Sequence, residues 1–387
     1  MLSWTYTDQK KDLEFCFEHG DFGPSTKYSI GKGNPYGQSP FNATKSYPSK
    51  STWDLWFVEL SNYSFTFTGQ DVILVKYNIE AVLMLIEDFG IAPASITLLS
   101  DNVNKTALAQ AWGVTVITDC KEIPKMKFTH VIKNPPWDDG IYAKFWPMAH
   151  EALVSDGYQI DILPTNWMTL IRFASFRKYL LENFQILSIR IYDNSKGQVF
   201  EAVPGGDVVV MVSRKSINPD NTLVEYTYFD NPTFTVDLTR HEIWPMYITA
   251  LSVKIWDMVV SRKINDLNWD KKAPTPYFVS APTKVHQRIN PNFMKNPGSR
   301  WDLNTLKGIA DEQQFFFDTS EKATLHHEWF GDDMFAYILA MAKSQGKNQP
   351  HPIAYTGEHD FANNDFVSHF GFTKQHLDEV AQWKLKA

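Results

Sequence analysis

The run Asp71-Val72-Ile73-Leu74-Val75-Lys76 has the length and apolar content of a buried strand, and Ile79 to Phe89 follows it as an apolar helix closed by Gly90. Outward from this pair the same rhythm repeats. Ala94-Ser95-Ile96-Thr97-Leu98-Leu99-Ser100 reads as a second strand, Asn104 to Trp112 as a helix ended by Gly113, and Val114-Thr115-Val116-Ile117-Thr118 as a third strand. Phe128-Thr129-His130-Val131-Ile132 is a fourth, running through Lys133 into Asn134-Pro135-Pro136-Trp137. Strands that alternate with helices at this spacing need crossover connections, so the pattern predicts a doubly wound, mostly parallel α/β sheet.

The alternation continues with a helix over Ala143 to Leu153, a turn at Ser155-Asp156-Gly157, a strand over Tyr158 to Pro164 and a helix over Ile171 to Asn183. Ile186 to Tyr192 and Asp207 to Ser213 are two more strands with no helix between them. They predict an antiparallel hairpin whose long tip spans Asp193 to Gly206, for seven strands in all. After Pro219 the rhythm stops. Short strand-like pieces such as Val224 to Tyr228 mix with helices, the clearest being Trp329 to Lys343 and Thr373 to Trp383. Residues 1–69 are closely punctuated by glycine and proline and read as turns and loops. The expected organisation is an α/β domain over 1–235, with 1–69 as its loop-rich extension, and an α+β domain over 236–387.

Composition narrows the class. The 387 residues are 43% apolar and 21% charged, which supplies a core and excludes general disorder. No run of eighteen apolar residues suggests a membrane span, and the polar start does not resemble a signal peptide. Two cysteines, Cys16 and Cys120, are too few for a disulfide framework or a four-cysteine zinc site, so a reduced, cytoplasmic setting is expected. The 14% aromatic content serves a large core, flat-ligand stacking or interfaces. A net charge of −7 argues against a chain that coats nucleic acid, yet Arg240 to Lys307 carries eleven Lys/Arg against five Asp/Glu. That local excess suits a segment facing a polyanion, or a solvated face.

The sharpest chemical signal is Asn134-Pro135-Pro136-Trp137, which directly follows a strand and so falls at the carboxyl edge where open α/β sheets bind ligands. Two prolines fix φ twice and remove two backbone donors. The corner is stiff and rich in acceptors, and the indole adds a stacking plate. It suits a planar heterocycle with an exocyclic amine. The Asn134 amide oxygen and the Pro135 carbonyl accept the two N–H hydrogens, while Trp137 stacks on the ring.

Asn-Pro-Pro-aromatic after the fourth strand resembles the catalytic motif of amino-methylating DNA methyltransferases. The surrounding run also fits: Trp146, Ser-Asp-Gly-Tyr at 155–158, Ile-Leu-Pro-Thr-Asn-Trp at 162–167, Phe176 to Leu181, then Gln198-Val199-Phe200 and Asp207 to Ser213. Over roughly residues 70–215 the chain is similar to the N6-adenine methyltransferases of restriction–modification systems. The resemblance implies a Rossmann-like methyltransferase sheet, methyl transfer from S-adenosylmethionine to a flipped adenine in double-stranded DNA, a C-terminal recognition domain and a partner subunit in a restriction–modification system. It assigns Asn134, Pro135, Pro136 and Trp137 to catalysis.

For the cofactor, the resemblance points to the ends of strands one to three. Asp101 and Asp119 stand where carboxylates would meet the ribose hydroxyls and the adenine amine, although an Asp after a strand is also a common turn residue. The first loop departs from the family pattern. Lys76-Tyr77-Asn78-Ile79-Glu80 contains no glycine to let a backbone approach closely. Asn78 as a cap and Glu80 as an acid are the remaining cofactor candidates, and a cofactor-free DNA-binding relative is the alternative reading. An RNA base or the cytosine N4 amine stays open as acceptor.

A stacked base must leave the duplex to be modified. Tyr142, Phe145 or Trp167 would help Trp137 hold it, core packing being the alternative for Phe145 and Trp167. The hairpin tip with Lys196, Val199 and Phe200 would line the same pocket. In the basic stretch, Lys271, Lys272, Arg288 and Arg300 interleave with aromatic residues and are expected to contact DNA. His326-His327-Glu328 lacks a second ligand at helical spacing and reads as surface histidines. Neither it nor His351, His359 and His369 suggests a metal site. No phosphate-binding glycine loop, nucleophile elbow or nuclease cluster is found.

Overall fold

A computed structural model describes residues 73–76, 79–87, 89–100, 103–125, 127–133, 146–192, 207–269, 277–280, 302–303, 314–342, 350–362 and 365–386. They fall into two compact units. The first holds the described residues through Pro164 together with Tyr179–Val224, and the second holds Thr165–Lys178 and the residues from Glu225 onward.

In the first unit, β1 (Ile73–Lys76), α1 (Ile79–Glu87), β2 (Ile96–Leu99), α2 (Val103–Ala111), β3 (Thr115–Ile117) and β4 (Phe128–Lys133) alternate as the apolar rhythm predicts. They are followed by α3 (Trp146–Ala152), β5 (Leu153–Pro164), β6 (Phe184–Tyr192) and β7 (Val208–Lys215). These seven take the order β3-β2-β1-β4-β5-β7-β6 within a sheet of nine strands, two more than the sequence reading expected. The first five run parallel, and β7 lies antiparallel between β5 and β6. This is the doubly wound, mostly parallel, Rossmann-like α/β arrangement expected from the sequence. Strands covered on both faces read as unbroken apolar runs. Ile73, Leu74 and Val75 are accordingly at most 1% exposed. Ile79, Val82 and Leu85 recur at helical spacing and turn one face of α1 into the core that also holds Ile96, Leu98 and Ile132.

Several boundaries differ from the sequence reading. Ala94 and Ser95 close a 3₁₀ turn (Pro93–Ser95) rather than opening β2. The predicted turn at 155–157 is absorbed into β5, which begins at Leu153. Pairing steps from Phe128↔Leu153 to His130↔Tyr158, so two residues of β4 span five of β5. Asp156 takes φ 60°, and a side chain at Gly157 would come within 3.0 Å of the Thr129 carbonyl. The turn chemistry was real, but it builds a bulge inside a strand.

The second unit takes in two stretches of chain. Thr165–Lys178 supplies the single turn α4 (Asn166–Thr169), a 3₁₀ turn (Ile171–Phe173) and the start of α5 (Ala174–Asn183). Trp167 and Met168 are fully buried there. Trp244 meets Trp167 edge-on at 5.5 Å, and its backbone N–H donates to the Met168 carbonyl. The Arg177 guanidinium, 2% exposed, donates to the carbonyls of Trp167, Leu170 and Glu242. Desolvation brings its pKa down to about 10.

The longer stretch carries β8 (Val224–Tyr228), β9 (Phe234–Val236), α6 (Ala250–Ser261) and a three-stranded antiparallel sheet, β11-β10-β12, from Tyr277–Ser280 (β10), Asp302–Leu303 (β11) and Gln314–Phe317 (β12). Helices α7 (Ser320–Phe330), α8 (Asp333–Ala342), α9 (Pro350–Thr356), α10 (Phe366–Phe370) and α11 (Lys374–Lys386) follow. The helix expected over Trp329 to Lys343 is broken at Gly331-Asp332. Gly331 closes α7 on the His327 and Glu328 carbonyls, and the Asp332 carboxylate accepts the Met334 N–H at 2.7 Å to start α8. His326 is not on the surface. It is fully buried, its Nδ1–H donates to the Lys322 carbonyl, and its Nε2 accepts the His359 N–H. No helix among the described residues is long and apolar enough to cross a membrane.

Candidate active site

The parallel ladder fixes where the strand ends stand. Lys76 pairs with Leu99 on one side and Lys133 on the other, and Leu99 pairs with Ile117. The carboxyl ends of β1, β2, β3 and β4 therefore finish in a single row. The row is tied crosswise at β2 and β3, where the buried Ser100 donates its N–H to the Ile117 carbonyl at 3.1 Å. Chain leaving any of these strands starts from that one edge.

Asp119 stands two residues beyond β3, with an exposed side chain. Its Oδ1 accepts the Lys121 N–H at 2.9 Å, and its carbonyl accepts the Glu122 N–H at 3.0 Å. This local turn holds the carboxylate at the sheet edge and leaves Oδ2 outside that bond. Glu80 lies in the first turn of α1, which opens only two residues after β1 ends. The other candidates fall outside the described residues: Asn78, Asp101, Asn134, Pro135, Pro136, Trp137, Tyr142, Lys196, Phe200, Lys271, Lys272, Arg288 and Arg300. Trp167 has no exposed surface and packs within the second unit, so core packing is its role. Among the described residues, Trp112, Trp146, Trp244, Trp256 and Trp329 are buried as well, which accounts for part of the aromatic excess.

The sequence reading missed a polar chain at the end of β4. Lys133, 1% exposed, places Nζ 2.9 Å from Asp161 Oδ1 and donates to Gln159 Oε1 at 3.0 Å. Gln159 Nε2 in turn donates to Ser213 Oγ at 3.1 Å. Nζ also sits 3.6 Å from the centroid of the Trp146 ring, a cation–π contact. Burial pulls the Lys133 pKa down, and the Asp161 carboxylate opposes that pull. Lys133 is the last described residue before the 134–145 connection, and Trp146 is the first after it. The signal was visible in the sequence as Lys133 and Asp161, two charges inside otherwise apolar strands. Such charges are almost never buried without a partner.

No family model and no curated protein matches the chain. Solved structures do resemble it. A Vibrio vulnificus YJ016 protein named as a modification subunit of a type I restriction enzyme shares 13% identity over 48% of this chain and 48% of its own, with a TM-score of 0.36. The type IIG restriction endonuclease BpuSI shares 12% over 98% of this chain and 70% of its own, with a TM-score of 0.46. TrmN from Thermus thermophilus shares 16% over 42% and 48%, with a TM-score of 0.32. The chain spans about half the length of the modification subunit.

Proposed function

We propose that this protein transfers a methyl group from S-adenosylmethionine to the N6 amine of an adenine flipped out of double-stranded DNA. The observation that carries the reading is the single row of strand ends. Asn134 is bonded directly to Lys133, so the Asn-Pro-Pro-Trp corner leaves the sheet from the same edge as the candidate cofactor residues after β1, β2 and β3.

In this reading the Asn134 amide oxygen and the Pro135 carbonyl accept the two amine hydrogens. They draw the nitrogen lone pair out of conjugation with the purine. Pro136 keeps the corner rigid, Trp137 covers one face of the base, and Tyr142, Lys196 and Phe200 line the pocket. S-adenosylmethionine supplies an electrophilic methyl group. Asp101 and Asp119 hold its hydroxyls and its adenine amine, with Asn78 and Glu80 at the first loop. The exposed Asp119 carboxylate suits that role. Lys271, Lys272, Arg288 and Arg300 neutralise DNA phosphates, and the 236–387 region reads the target, in the setting of a restriction–modification partner subunit.

One observation favours a second reading, a DNA-binding relative without cofactor. The β1–α1 connection is two residues long, Tyr77-Asn78, and has no glycine for close backbone approach. Titration calorimetry with S-adenosylmethionine separates the two. The methyltransferase reading requires binding below millimolar concentration by folded protein, and its absence leaves the second reading. A tritium-transfer assay on adenine-containing duplex then tests the chemistry. Asn134→Ala is expected to lower the rate at least a hundredfold while leaving cofactor binding within twofold. Equal rates in the two proteins would remove Asn134 from the mechanism.

A further inference from the structure

We propose that the second unit contains an anion site, anchored on the buried guanidinium of Arg177 and taking a small inorganic anion of the size of chloride. The site goes beyond the methyl-transfer reading and does not rest on it.

A guanidinium has five N–H donors. In Arg177, Nε donates to the Glu242 carbonyl at 2.7 Å, and Nη1 donates to the Trp167 and Leu170 carbonyls at 2.6 and 2.9 Å. Nη2 is buried with no hydrogen-bond partner, so two donors of a side chain only 2% exposed stand unanswered in the interior. Carbonyls answer hydrogens but do not neutralise a charge. Among the described residues no carboxylate forms an ion pair with Arg177. Glu242, the acid whose charge acts on it, has an exposed side chain. Even with its pKa brought down to about 10, Arg177 remains protonated at neutral pH. A buried charge without a counter-charge is among the costliest arrangements in a protein. Water at Nη2 would answer the hydrogens and leave the charge, whereas an anion answers both.

The surroundings favour an acceptor. Thr169 lies between the two residues whose carbonyls Nη1 grips, and its hydroxyl is buried without a partner. So are the indole N–H groups of Trp167 and Trp244. His351 of α9 closes on the same turn, with Nδ1 buried and unpartnered. Burial lowers its pKa, the Thr169 carbonyl opposes that, and the Arg177 charge adds to it. Three stretches of chain, around residues 167–177, 242–244 and 351–355, thus meet about one uncompensated charge; the Tyr355 hydroxyl accepts the Glu242 N–H at 3.2 Å. Trp167 packs edge-on against both Phe176 and Trp244 at 5.5 Å, and walls this close suit a small ion rather than an organic acid.

The test uses the full chain at constant ionic strength, with sodium chloride replacing sodium gluconate. A ligand that binds only the folded state raises the melting temperature with its concentration. The expected rise is about 3–6 °C for each tenfold increase in chloride above its dissociation constant. Arg177→Met should abolish the dependence. A wild-type melting temperature indifferent to chloride would overturn the proposal, and so would an equal rise in Arg177→Met, which would mark binding elsewhere on the surface. A second measurement covers the case in which Arg177→Met does not fold. Iodide, a halide that quenches indole fluorescence, should quench the blue-shifted emission of buried tryptophan with saturation, and chloride should relieve that quenching. Trp167→Phe should lose at least half of the saturable component. Quenching that never saturates, or that chloride leaves unchanged, would likewise overturn the site.

Discussion

Cutting the chain at the start of β8 should leave the second unit unable to fold. A fragment of residues 225–387 lacks Thr165–Lys178, the stretch that belongs to the same compact unit. That stretch contributes Trp167 and Met168 with no exposed surface, Phe173 and Phe176 at 5% and 6%, and the Arg177 guanidinium. Truncating a buried Trp or Met to Ala costs about 3–5 and 2–5 kcal/mol respectively. Losing Trp167 and Met168 alone therefore removes about 5–10 kcal/mol, and the two phenylalanines add to that. A whole domain is stable by only about 5–15 kcal/mol. The fragment is expected to show no cooperative thermal transition and to lose the near-ultraviolet dichroism of its tryptophans. A sharp calorimetric peak for 225–387, at a temperature near that of the intact chain, would refute the reasoning. It would mean that the Trp167–Trp244 contact is peripheral.

Two further outcomes follow from local geometry. Burial holds His326 at a pKa of about 3 and His359 at about 4, both below the usual histidine value, so the folded state resists their protonation. The unfolded chain then binds more protons, and stability is full above about pH 6.5 and declines as pH falls from there toward 4. The slope reaches at most about 1.4 kcal/mol per pH unit for each histidine, read from urea midpoints between pH 4 and 7; a flat profile would rule it out. At Gly157 an added Cβ would lie 2.8 Å from Leu153 Cγ and 3.0 Å from the Thr129 carbonyl. The leucine can move but the ladder backbone cannot, so Gly157→Ala should cost about 1–3 kcal/mol in a thermal melt.

The parallel half of the sheet was legible because strands buried on both faces leave apolar runs, and the β6–β7 hairpin because no helix fits between its strands. The bulge at 155–157 was hidden: its Ser-Asp-Gly chemistry is that of a connection, and only the register with Phe128 and His130 shows it lying inside a strand. The break at Gly331 was hidden because Trp329 to Ala342 keeps an apolar helical pattern across it. His326 looked like surface because a neutral imidazole satisfied by two backbone groups carries no mark in the sequence. Of the candidate site, the edge at which Asn134 emerges could be read from strand order. The Lys133–Asp161 pair showed in the sequence only as two separate charges within strands, and their pairing stayed hidden because the lysine looked like the solvent-facing end of its strand.

Thr165–Lys178 precedes its partners in order of synthesis. At about 5–20 residues per second, Trp244 follows Trp167 onto the ribosome roughly 4–15 s later. Throughout that interval Trp167 lacks its later partner Trp244, while the strands β6 and β7 that follow it are already free to join the sheet. Nascent molecules should thus pass through a stage in which the parallel-sheet half is nearly finished and displays a sticky tag. Chaperone capture during translation would be expected to concentrate on that tag.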